Sequence, residues 1–348
     1  MKVALIGCGR VSKKHIEAVR ANPNLKLACV CDKDVPKLNH VCNEHNVRGY
    51  NTIEEMFDKE KIDIVSVLVE AGNHAQVVCE IAKYKKHIIV EKPIALKLDD
   101  ADRMIEACDR NNIKLFVVKQ NRFNLPVIQL KKAMNLGRFG KLVMGTVRLR
   151  WARDEAYFKQ DSWRGTWRFD GGVFASQASH HVDMLRWLMG PVKNVHAISS
   201  NTIIEGLEVE DTGIATLEFE NGALGLIEAT NACRPKNLEG SVSILGRGGT
   251  VVIEGFAVNH LKTWEFAEPH PMDKEVWDSS ENPPDVYGFG HARFYESVVE
   301  NLKHAGGNII DGMEGKKSLE LICAIYESIA TKKTVELRFH PEQLRLGK

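Results

Sequence analysis

The sequence is short of the features that mark nucleic-acid-binding, membrane and secreted proteins. It contains no long basic run and its formal net charge is only +1, so no nucleic-acid partner is expected. No apolar run is long enough to cross a bilayer, and the opening residues MKVALIGCGR already have the pattern of a buried strand and a turn. We therefore expect no membrane partner, no signal peptide and a cytoplasmic location.

Cysteine pairs of the metal-binding kind are also missing. None of the eight cysteines forms a CxxC pair. Cys29 and Cys31 lie two residues apart on a predicted strand and face the same side, where buried filler is a better interpretation than a pair of metal ligands. We expect no metal site, and scattered cysteines of this kind are typical of a reducing cytoplasm.

The first third of the chain alternates short apolar runs with amphipathic stretches, and a length of 348 residues suits two domains. Runs rich in Val, Ile and Leu occupy residues 3–6, 27–30, 64–68, 87–90 and 115–118. Stretches with helical spacing lie between them, at residues 12–20, 36–44, 73–83 and 99–110. Strands that are apolar on both faces and separated by helices predict an α/β fold with a doubly wound parallel sheet, a Rossmann domain over residues 1–120.

The pattern changes after about Asn121, where apolar residues begin to alternate with polar ones. Residues 143–151 have the period of a half-exposed strand, and Asn221-Gly222 and residues 246–249 each separate two strand-like runs. One helix is expected near residues 175–189 and a later one over about residues 316–330. The second domain, residues 121–348, is therefore predicted to be α+β, with an open-faced, mainly antiparallel sheet, and to hold the substrate.

A glycine-rich turn joins the first strand to the first helix. Gly7 allows the tight turn, Gly9 lets the backbone approach a pyrophosphate, and Ser12 is a small residue in place of a third glycine. Asp32 ends the second strand, where a carboxylate accepts hydrogen bonds from ribose hydroxyls and repels a 2′-phosphate. The pattern predicts an NAD site; an ordinary strand–helix turn beside a solvated Asp is the alternative. The residues predicted to contact NAD here are Gly7, Cys8, Gly9, Arg10, Val11 and Asp32.

The strand at residues 87–90 runs into Glu91-Lys92-Pro93, at a carboxyl end where ligands bind in such sheets. With this motif after this glycine turn, nearly the whole chain resembles the glucose–fructose oxidoreductase/inositol dehydrogenase/MocA family. The resemblance implies that Lys92 lies beside the nicotinamide and the substrate hydroxyl, and that its peptide bond to Pro93 is often cis. A lysine there can orient the hydroxyl and stabilise charge on its oxygen. An exposed lysine before a helix-starting proline is the alternative.

A second motif of that family, a glycine pair followed by a helix with HxxD, matches Gly171-Gly172 and the segment from His180 to Asp183. The resemblance makes His180 the candidate base, since histidine accepts a proton near neutral pH. A satisfied buried histidine is the alternative. For the neighbouring His181, packing and substrate contact are equally good interpretations.

Two positions depart from the family pattern. Ser176 stands where many inositol and simple sugar dehydrogenases of the family carry an Asp, and Glu70 stands where a proline is usual. The first departure counts against a polyol dehydrogenase. Stretches such as residues 119–122, 163–167 and 287–291 are instead similar to the branch that oxidises UDP-N-acetylglucosaminuronic acid at the sugar C3 hydroxyl.

Such a substrate carries a diphosphate and a carboxylate, which call for cations and aromatic rings near the pocket. The residues that the resemblance assigns to the substrate are Lys92, Arg122, Trp163, Gln177, His180, His181, Lys236 and Tyr287. The resemblance also adds six residues to the cofactor site, namely Asn73, His74, Glu91, Lys92, Gln120 and Arg164. Surface charge and core aromatics are the alternative for any one of them.

The resemblance implies a reaction in which the C3 hydroxyl loses its proton to His180 while hydride passes from C3 to NAD. The 3-keto product would feed an aminotransferase in polysaccharide precursor synthesis. Some relatives return the hydride to 2-oxoglutarate, which makes 2-oxoglutarate a candidate acceptor, and branch members form tetramers through the open sheet face, so a homotetramer is expected. The alternatives are another sugar or inositol dehydrogenase, a keto-sugar reductase, or a non-catalytic NAD-binding regulator, against which the presence of Lys92 and His180 counts.

Overall fold

The computed structural model describes residues 1–201, 206–304, 310–338, 341 and 343–348. They fall into two compact units. The first contains Met1–Val118 and His291–Lys316, and the second contains Lys119–Gly290 and Lys317–Lys348. The sequence prediction drew a single boundary after residue 120 and did not include His291–Lys316 in the first unit.

The N-terminal run of the first unit alternates strands and helices. Its elements are β1 (Lys2–Ile6), α1 (Ser12–Ala21), β2 (Lys26–Cys31), α2 (Val35–His45), β3 (Arg48–Tyr50), α3 (Ile53–Lys59), β4 (Ile64–Val67), α4 (His74–Ala82), β5 (His87–Val90), α5 (Leu98–Arg110) and β6 (Leu115–Val117). The short β3 and α3 were not predicted, because three and seven residues carry too little periodicity to be detected.

The six strands form one parallel sheet in the order β3-β2-β1-β4-β5-β6. The order reverses between β1 and β4, and that reversal creates the crevice where such sheets bind ligands at their carboxyl ends. All four residues of β4 and most of those of β1 and β5 are buried, as expected for strands covered on both faces. The predicted doubly wound sheet is confirmed.

The second unit is built around a mixed sheet. Its elements up to residue 290 are α6 (Leu125–Asn135), β7 (Leu142–Arg150), α7 (Glu155–Lys159), α8 (Ser179–Met189), β8 (Val192–Ser200), β9 (Thr212–Phe219), β10 (Leu224–Thr230), β11 (Glu239–Gly246), β12 (Gly249–Glu254), β13 (His260–Phe266) and α9 (Met272–Glu275). The eight strands lie in the order β13-β12-β11-β7-β10-β9-β8-β14, where β14 is Val335–Glu336. Every pair is antiparallel except β7 with β10.

One face of this sheet is packed and the other is open. Helix α8 lies against the packed face, where its Leu185 and Met189 leave no room for a side chain at Gly145 of β7. Buried and exposed residues alternate along β8, β9 and β10. The open-faced sheet predicted from the alternation, with hairpins at Asn221-Gly222 and at residues 246–249, is therefore present.

Two further helices complete the chain, α10 (Gly290–Lys303) and α11 (Gly312–Thr331). In the first unit, Val117 donates a backbone hydrogen bond to Ile310 and the Lys114 ammonium donates to the Asn301 side chain, at 2.9 and 2.7 Å. These contacts hold the C-terminal segment on the edge of the parallel sheet. Among the residues described, no helix is both long enough and apolar enough to span a membrane.

Candidate functional site

The glycine turn after β1 is shaped by two glycines with different tasks. Gly7 has a φ of +107°, and a Cβ there would lie 2.8 Å from the carbonyl carbon and oxygen of Leu68. A Cβ on Gly9 would meet nothing within 4 Å. The space above Gly9 is therefore open, at the point where the backbone must let a pyrophosphate approach.

The helix that follows the turn keeps its N-terminus available. Helix α1 begins at Ser12, whose hydroxyl donates to the Gly9 carbonyl at 2.7 Å, and no side chain caps the helix. Backbone N–H groups and the helix dipole together favour an anion at such an end. The turn thus fits the diphosphate of a dinucleotide.

Asp32 is held beside the same turn. Its carboxylate accepts hydrogen bonds from the backbone N–H groups of Cys8 and Asp34, at 2.6 and 2.8 Å. These bonds fix the carboxylate at the end of β2, where ribose hydroxyls can donate to its remaining lone pairs. The donor and acceptor set of this half of the unit fits NAD.

His74 and Asn73, predicted as cofactor contacts, are bound to neighbouring parts of the protein. The buried His74 ring lies with Nδ1 2.9 Å from the Pro93 carbonyl and Nε2 3.0 Å from the Val69 carbonyl. Burial lowers the pKa of this histidine. Its ring nitrogens therefore brace two loops of the first unit, and a contact of His74 with the cofactor stays a prediction. The Asn73 amide donates to the Glu70 carboxylate at 2.5 Å.

Glu91, another predicted cofactor contact, has its carboxylate buried in the interior of the first unit. It lies 2.9 Å from His15 Nε2 and accepts a hydrogen bond from the Lys92 backbone N–H at 3.0 Å. Burial opposes ionisation, but the hydrogen bond from His15 and the nearby His291 ring, 3.6 Å away, prevail and hold the pKa of Glu91 well below its usual value. Its side chain is an internal acceptor, and a contact with the cofactor stays a prediction. The half-buried Lys92 follows, and its peptide bond to Pro93 is cis.

In the second unit, Arg122 is not a free cation for the substrate. Its guanidinium donates two hydrogen bonds to Asp183, at 2.7 and 2.8 Å, and lies over the ring of Trp187. Lys119 lies 3.4 Å from the same carboxylate. Burial would raise the pKa of Asp183, but the charges of Arg122 and Lys119 outweigh burial and lower it to about 2. Arg122 thus belongs to a buried ion pair, and its predicted contact with the substrate stays a prediction.

That ion pair anchors the helix of the HxxD motif. Helix α8 starts at Ser179, so Ser176 belongs to the preceding turn and not to the helix that was predicted near residues 175–189. His180 and His181 are both buried. Since Asp183 lies one turn after His180, the ion pair with Arg122 and Lys119 holds the helical turn that carries His180.

His181 packs edge-on against Trp151, with ring centroids 6.2 Å apart. Burial lowers its pKa to about 4, so this ring is neutral at physiological pH. In the described part of the chain, neither of its ring nitrogens has a hydrogen-bond partner.

Gln120, another predicted contact, is buried too, and its amide oxygen likewise lacks a partner among the described residues. Polar atoms buried in this way are expected to meet a ligand or water.

A cluster of arginine and aromatic side chains brings three predicted residues together. The Arg164 guanidinium lies over the rings of Trp163 and Tyr157, at 4.5 and 4.6 Å, and donates to the Tyr157 hydroxyl at 2.8 Å. The Gln177 amide reaches the same hydroxyl at 3.4 Å. The Arg153 guanidinium also lies over the Tyr157 ring, 5.1 Å from the ring centroid. Tyr157, at the centre, was missed because a lone tyrosine in a short helix carries no motif.

Two further residues predicted to bind the substrate, Lys236 and Tyr287, lie in other segments of the second unit. Lys236 is exposed in the turn before β11, and Tyr287 is half-buried, with its N–H donating to Asp285 at 3.0 Å. A role for either in substrate binding stays a prediction.

A buried carboxyl that the sequence analysis did not single out supports the glycine pair. Glu210 accepts a hydrogen bond from the Tyr326 hydroxyl at 2.7 Å, and that hydroxyl accepts one from the Gly172 N–H at 3.0 Å. A Cβ on Gly172 would lie 1.8 Å from Glu210 Oε2, which explains the glycine. Burial raises the pKa of Glu210 to about 7. In the sequence, Glu210 belongs to a Glu210-Asp211 pair within a stretch that is similar to the family. That similarity says nothing about whether the carboxyl is buried.

Alanine substitutions should separate the two glycines of the turn. Gly7→Ala is expected to lower the free energy of unfolding by about 1 to 3 kcal/mol, because it combines a positive φ with a backbone clash. Gly9→Ala should change it by less than about 0.5 kcal/mol yet weaken NADH binding, since only the approaching ligand meets the new methyl group. Urea unfolding and NADH fluorescence titration measure both. Normal NADH affinity in Gly9→Ala would contradict this account of the turn.

The carboxyl of Glu210 should make stability depend on pH. The folded protein keeps this proton up to a pKa of about 7, whereas the unfolded chain loses it near 4.5, so the folded state binds more protons in that window. The free energy of unfolding should therefore fall as pH rises from 4.5 to 7, by up to about 3 kcal/mol. Glu210→Gln keeps an acceptor for Tyr326 and should abolish this part of the fall in urea titrations at several pH values. Parallel pH curves for the two proteins would refute the assignment.

Comparisons with known proteins agree with this geometry. Residues 1–119 match the family model described as "Oxidoreductase family, NAD-binding Rossmann fold", and residues 131–337 match its "C-terminal alpha/beta domain". Myo-inositol 2-dehydrogenase of Thermotoga maritima is 28% identical over 345 residues, which cover 97% of this chain and 98% of that protein.

Two solved structures are more similar in sequence. The WlbA dehydrogenase from Bordetella pertussis, in complex with NADH and UDP-GlcNAcA, is 40% identical, with a TM-score of 0.92 and coverage of 97% of this chain and 98% of that one. The WlbA dehydrogenase from Chromobacterium violaceum, with the same two ligands, is 40% identical, with a TM-score of 0.91 and coverage of 98% and 96%. The resemblance inferred from the motifs is confirmed, and the chain belongs to the GFO/IDH/MocA family of NAD-dependent oxidoreductases.

Proposed function

We propose that this protein oxidises the C3 hydroxyl of UDP-N-acetylglucosaminuronic acid to the 3-keto sugar, with NAD as the hydride acceptor. The observation that carries the proposal is the 40% identity, over almost the whole of both chains, to two dehydrogenases crystallised with NADH and UDP-GlcNAcA. Sugar and inositol dehydrogenases in general are the coarser class, and the inositol enzyme is less similar, at 28% identity.

The site residues suit an anionic substrate better than a polyol. Ser176 takes the place of the Asp that many inositol dehydrogenases of the family carry, which removes one negative charge from the neighbourhood of His180. The cluster of Tyr157, Arg164 and Arg153 adds two guanidinium groups to the same unit. Arginine forks match the geometry of carboxylate and phosphate oxygens.

The proposed chemistry divides between two residues. Lys92 orients the C3 hydroxyl and stabilises the negative charge that develops on its oxygen. His180 accepts the hydroxyl proton, while the C–H bond at C3 gives up its electron pair as hydride. NAD, held by the glycine turn and Asp32, supplies the two-electron acceptor. The carbinol thus loses one proton and one hydride and becomes a ketone.

The product and the fate of the cofactor extend the proposal. A 3-keto sugar is the substrate type that an aminotransferase converts to an amino sugar, as in the synthesis of surface polysaccharide precursors. A cytoplasmic location would give the enzyme access to nucleotide sugars. 2-Oxoglutarate is the proposed acceptor that would return NADH to NAD.

The substrate is tested by mixing purified protein with NAD, 2-oxoglutarate and UDP-N-acetylglucosaminuronic acid and measuring the 3-keto product by mass spectrometry. Lys92→Ala and His180→Ala should each reduce the rate about 100- to 10,000-fold, because each removes a group that acts on the reacting hydroxyl. His40→Ala, which changes an exposed histidine of α2, is the matched control and should retain full activity.

If no product forms while NADH binding is intact, the assignment of UDP-N-acetylglucosaminuronic acid as the substrate is rejected. The assignment of the protein as an NAD-dependent oxidoreductase would still stand. A panel of free sugars and inositols would then identify the substrate, as the inositol relative suggests. A protein inactive on the whole panel, whose Lys92→Ala variant keeps full function in cells, would be the non-catalytic regulator.

We also propose that the protein is a homotetramer that buries the open face of the second sheet. Ile198, Ile214 and Leu224 are 62%, 42% and 58% exposed on neighbouring strands of that face, and Ile198 pairs directly with Ile214. Apolar side chains that lie side by side on an unpaired sheet face are typical of a subunit interface.

Charged residues on that face should break the assembly. Ile198→Glu with Ile214→Glu is expected to give a smaller species by light scattering, because two carboxylates would have to be buried. Leu136→Glu, at an exposed leucine that follows α6, is the control and should leave the mass unchanged. A tetramer that survives the double substitution would show that another surface joins the subunits.

A further inference from the structure

Four buried side chains form a continuous hydrogen-bonded chain inside the first unit. Ser66 Oγ lies 2.7 Å from Tyr295 Oη, which lies 2.8 Å from His15 Nδ1. His15 Nε2 lies 2.9 Å from Glu91 Oε1, and Glu91 Oε2 accepts the Lys92 N–H at 3.0 Å. These four side chains come from β4, α10, α1 and the end of β5, so their hydrogen bonds tie four elements of this unit together.

The direction of every proton in this chain can be worked out. The ionised Glu91 carboxylate only accepts, so His15 must carry its hydrogen on Nε2. Burial lowers the pKa of His15, which leaves the ring neutral with Nδ1 as an acceptor. Tyr295 must then donate to Nδ1, and its oxygen is left to accept from Ser66. Each group therefore fixes the orientation of the next, and the sequence of donors ends at the carboxylate that holds the Lys92 peptide.

We propose that Ser66, Tyr295, His15 and Glu91 act as positioning residues that fix Lys92 relative to the dinucleotide turn. His15 lies one turn after Ser12, on the helix whose N-terminus would face the pyrophosphate of NAD, and its Nε2 reaches the carboxylate beside Lys92. One buried carboxylate thereby joins the cofactor-binding helix to the peptide of the lysine. The inference rests on the proposed role of Lys92 and deepens it.

Variants of His15 and Tyr295 test the chain. His15→Leu and Tyr295→Phe should lower kcat, by up to about a hundredfold for His15→Leu, while the KM for NAD and the NADH affinity stay unchanged, since a misplaced lysine slows chemistry without altering the cofactor turn. His15→Gln retains a donor for Glu91 and should restore part of the loss. Tyr50→Phe is the matched control, because it removes a tyrosine hydroxyl bond to Glu60 at 2.9 Å elsewhere in the same unit.

A readout that needs no substrate keeps this test independent of the nucleotide-sugar assignment. Lysines methylated with carbon-13 give separate NMR signals, and the half-buried Lys92 is identified by its loss in Lys92→Arg. The Lys92 signal should shift in His15→Leu and Tyr295→Phe and stay in place in Tyr50→Phe. If the wild type fails to oxidise UDP-N-acetylglucosaminuronic acid but this signal shifts, the substrate proposal fails and the positioning chain stands.

Three results would overturn the inference. A Lys92 signal that does not move in folded Tyr295→Phe and His15→Leu would show that the lysine is placed independently of the chain. A raised KM for NAD with unchanged kcat in these two variants would show that the hydrogen-bonded side chains support only the cofactor turn. His15, Glu91 and His291 also offer three ligand atoms within 4.8 Å of one another, so one tightly bound zinc per chain, with activity lost on chelation, would make Glu91 a metal ligand instead.

Discussion

A buried carboxylate must be given hydrogen-bond donors, and this constraint organises both units of the protein. Glu91 receives His15 and the Lys92 peptide, Asp183 receives the Arg122 fork, and Glu210 receives the Tyr326 hydroxyl. In each case a side-chain donor comes from a segment far along the chain. Each carboxylate also lies beside a residue or segment of functional interest, namely Lys92, His180 and the glycine pair at residues 171–172. Each unit therefore supports its own candidate site residues with buried acids that need not touch a ligand.

Asp183 and Glu210 differ in charge because their partners differ. Arg122 and Lys119 bring positive charge to Asp183, and the pKa of that acid falls to about 2 despite burial. Glu210 has a neutral phenol and backbone N–H groups around it, so burial dominates and its pKa rises to about 7. Positive neighbours explain the sign of the shift at Asp183, and their lack explains the opposite sign at Glu210, whereas at Glu91 hydrogen bonding from the His15 ring lowers the pKa. Two of the three acids are thus held ionised, and one titrates near neutral pH.

Cofactor and substrate are specified by different kinds of structure. The NAD site depends on backbone geometry at Gly7 and Gly9 and on one carboxylate, Asp32, which is why short motifs identify it. The proposed substrate contacts depend on side chains such as Tyr157 and Arg164, which stack and hydrogen-bond in the second unit. Small changes among such side chains alter which sugar is held without disturbing the fold. Family membership consequently defines the reaction type more firmly than the substrate.

The sequence by itself determined the parallel sheet, the open-faced second sheet, the NAD turn and the family, because periodicity and short motifs encode local structure. Only the tertiary structure decided that Glu91, His74 and Arg122 serve the interior of the protein. Their types and positions matched ligand-binding patterns equally well, but the partners of two of them lie far along the chain: His15 and Glu91 are 76 residues apart, and Arg122 and Asp183 are 61 apart. A motif shows that a charged side chain is present, whereas the packing of distant segments decides which group its charge meets.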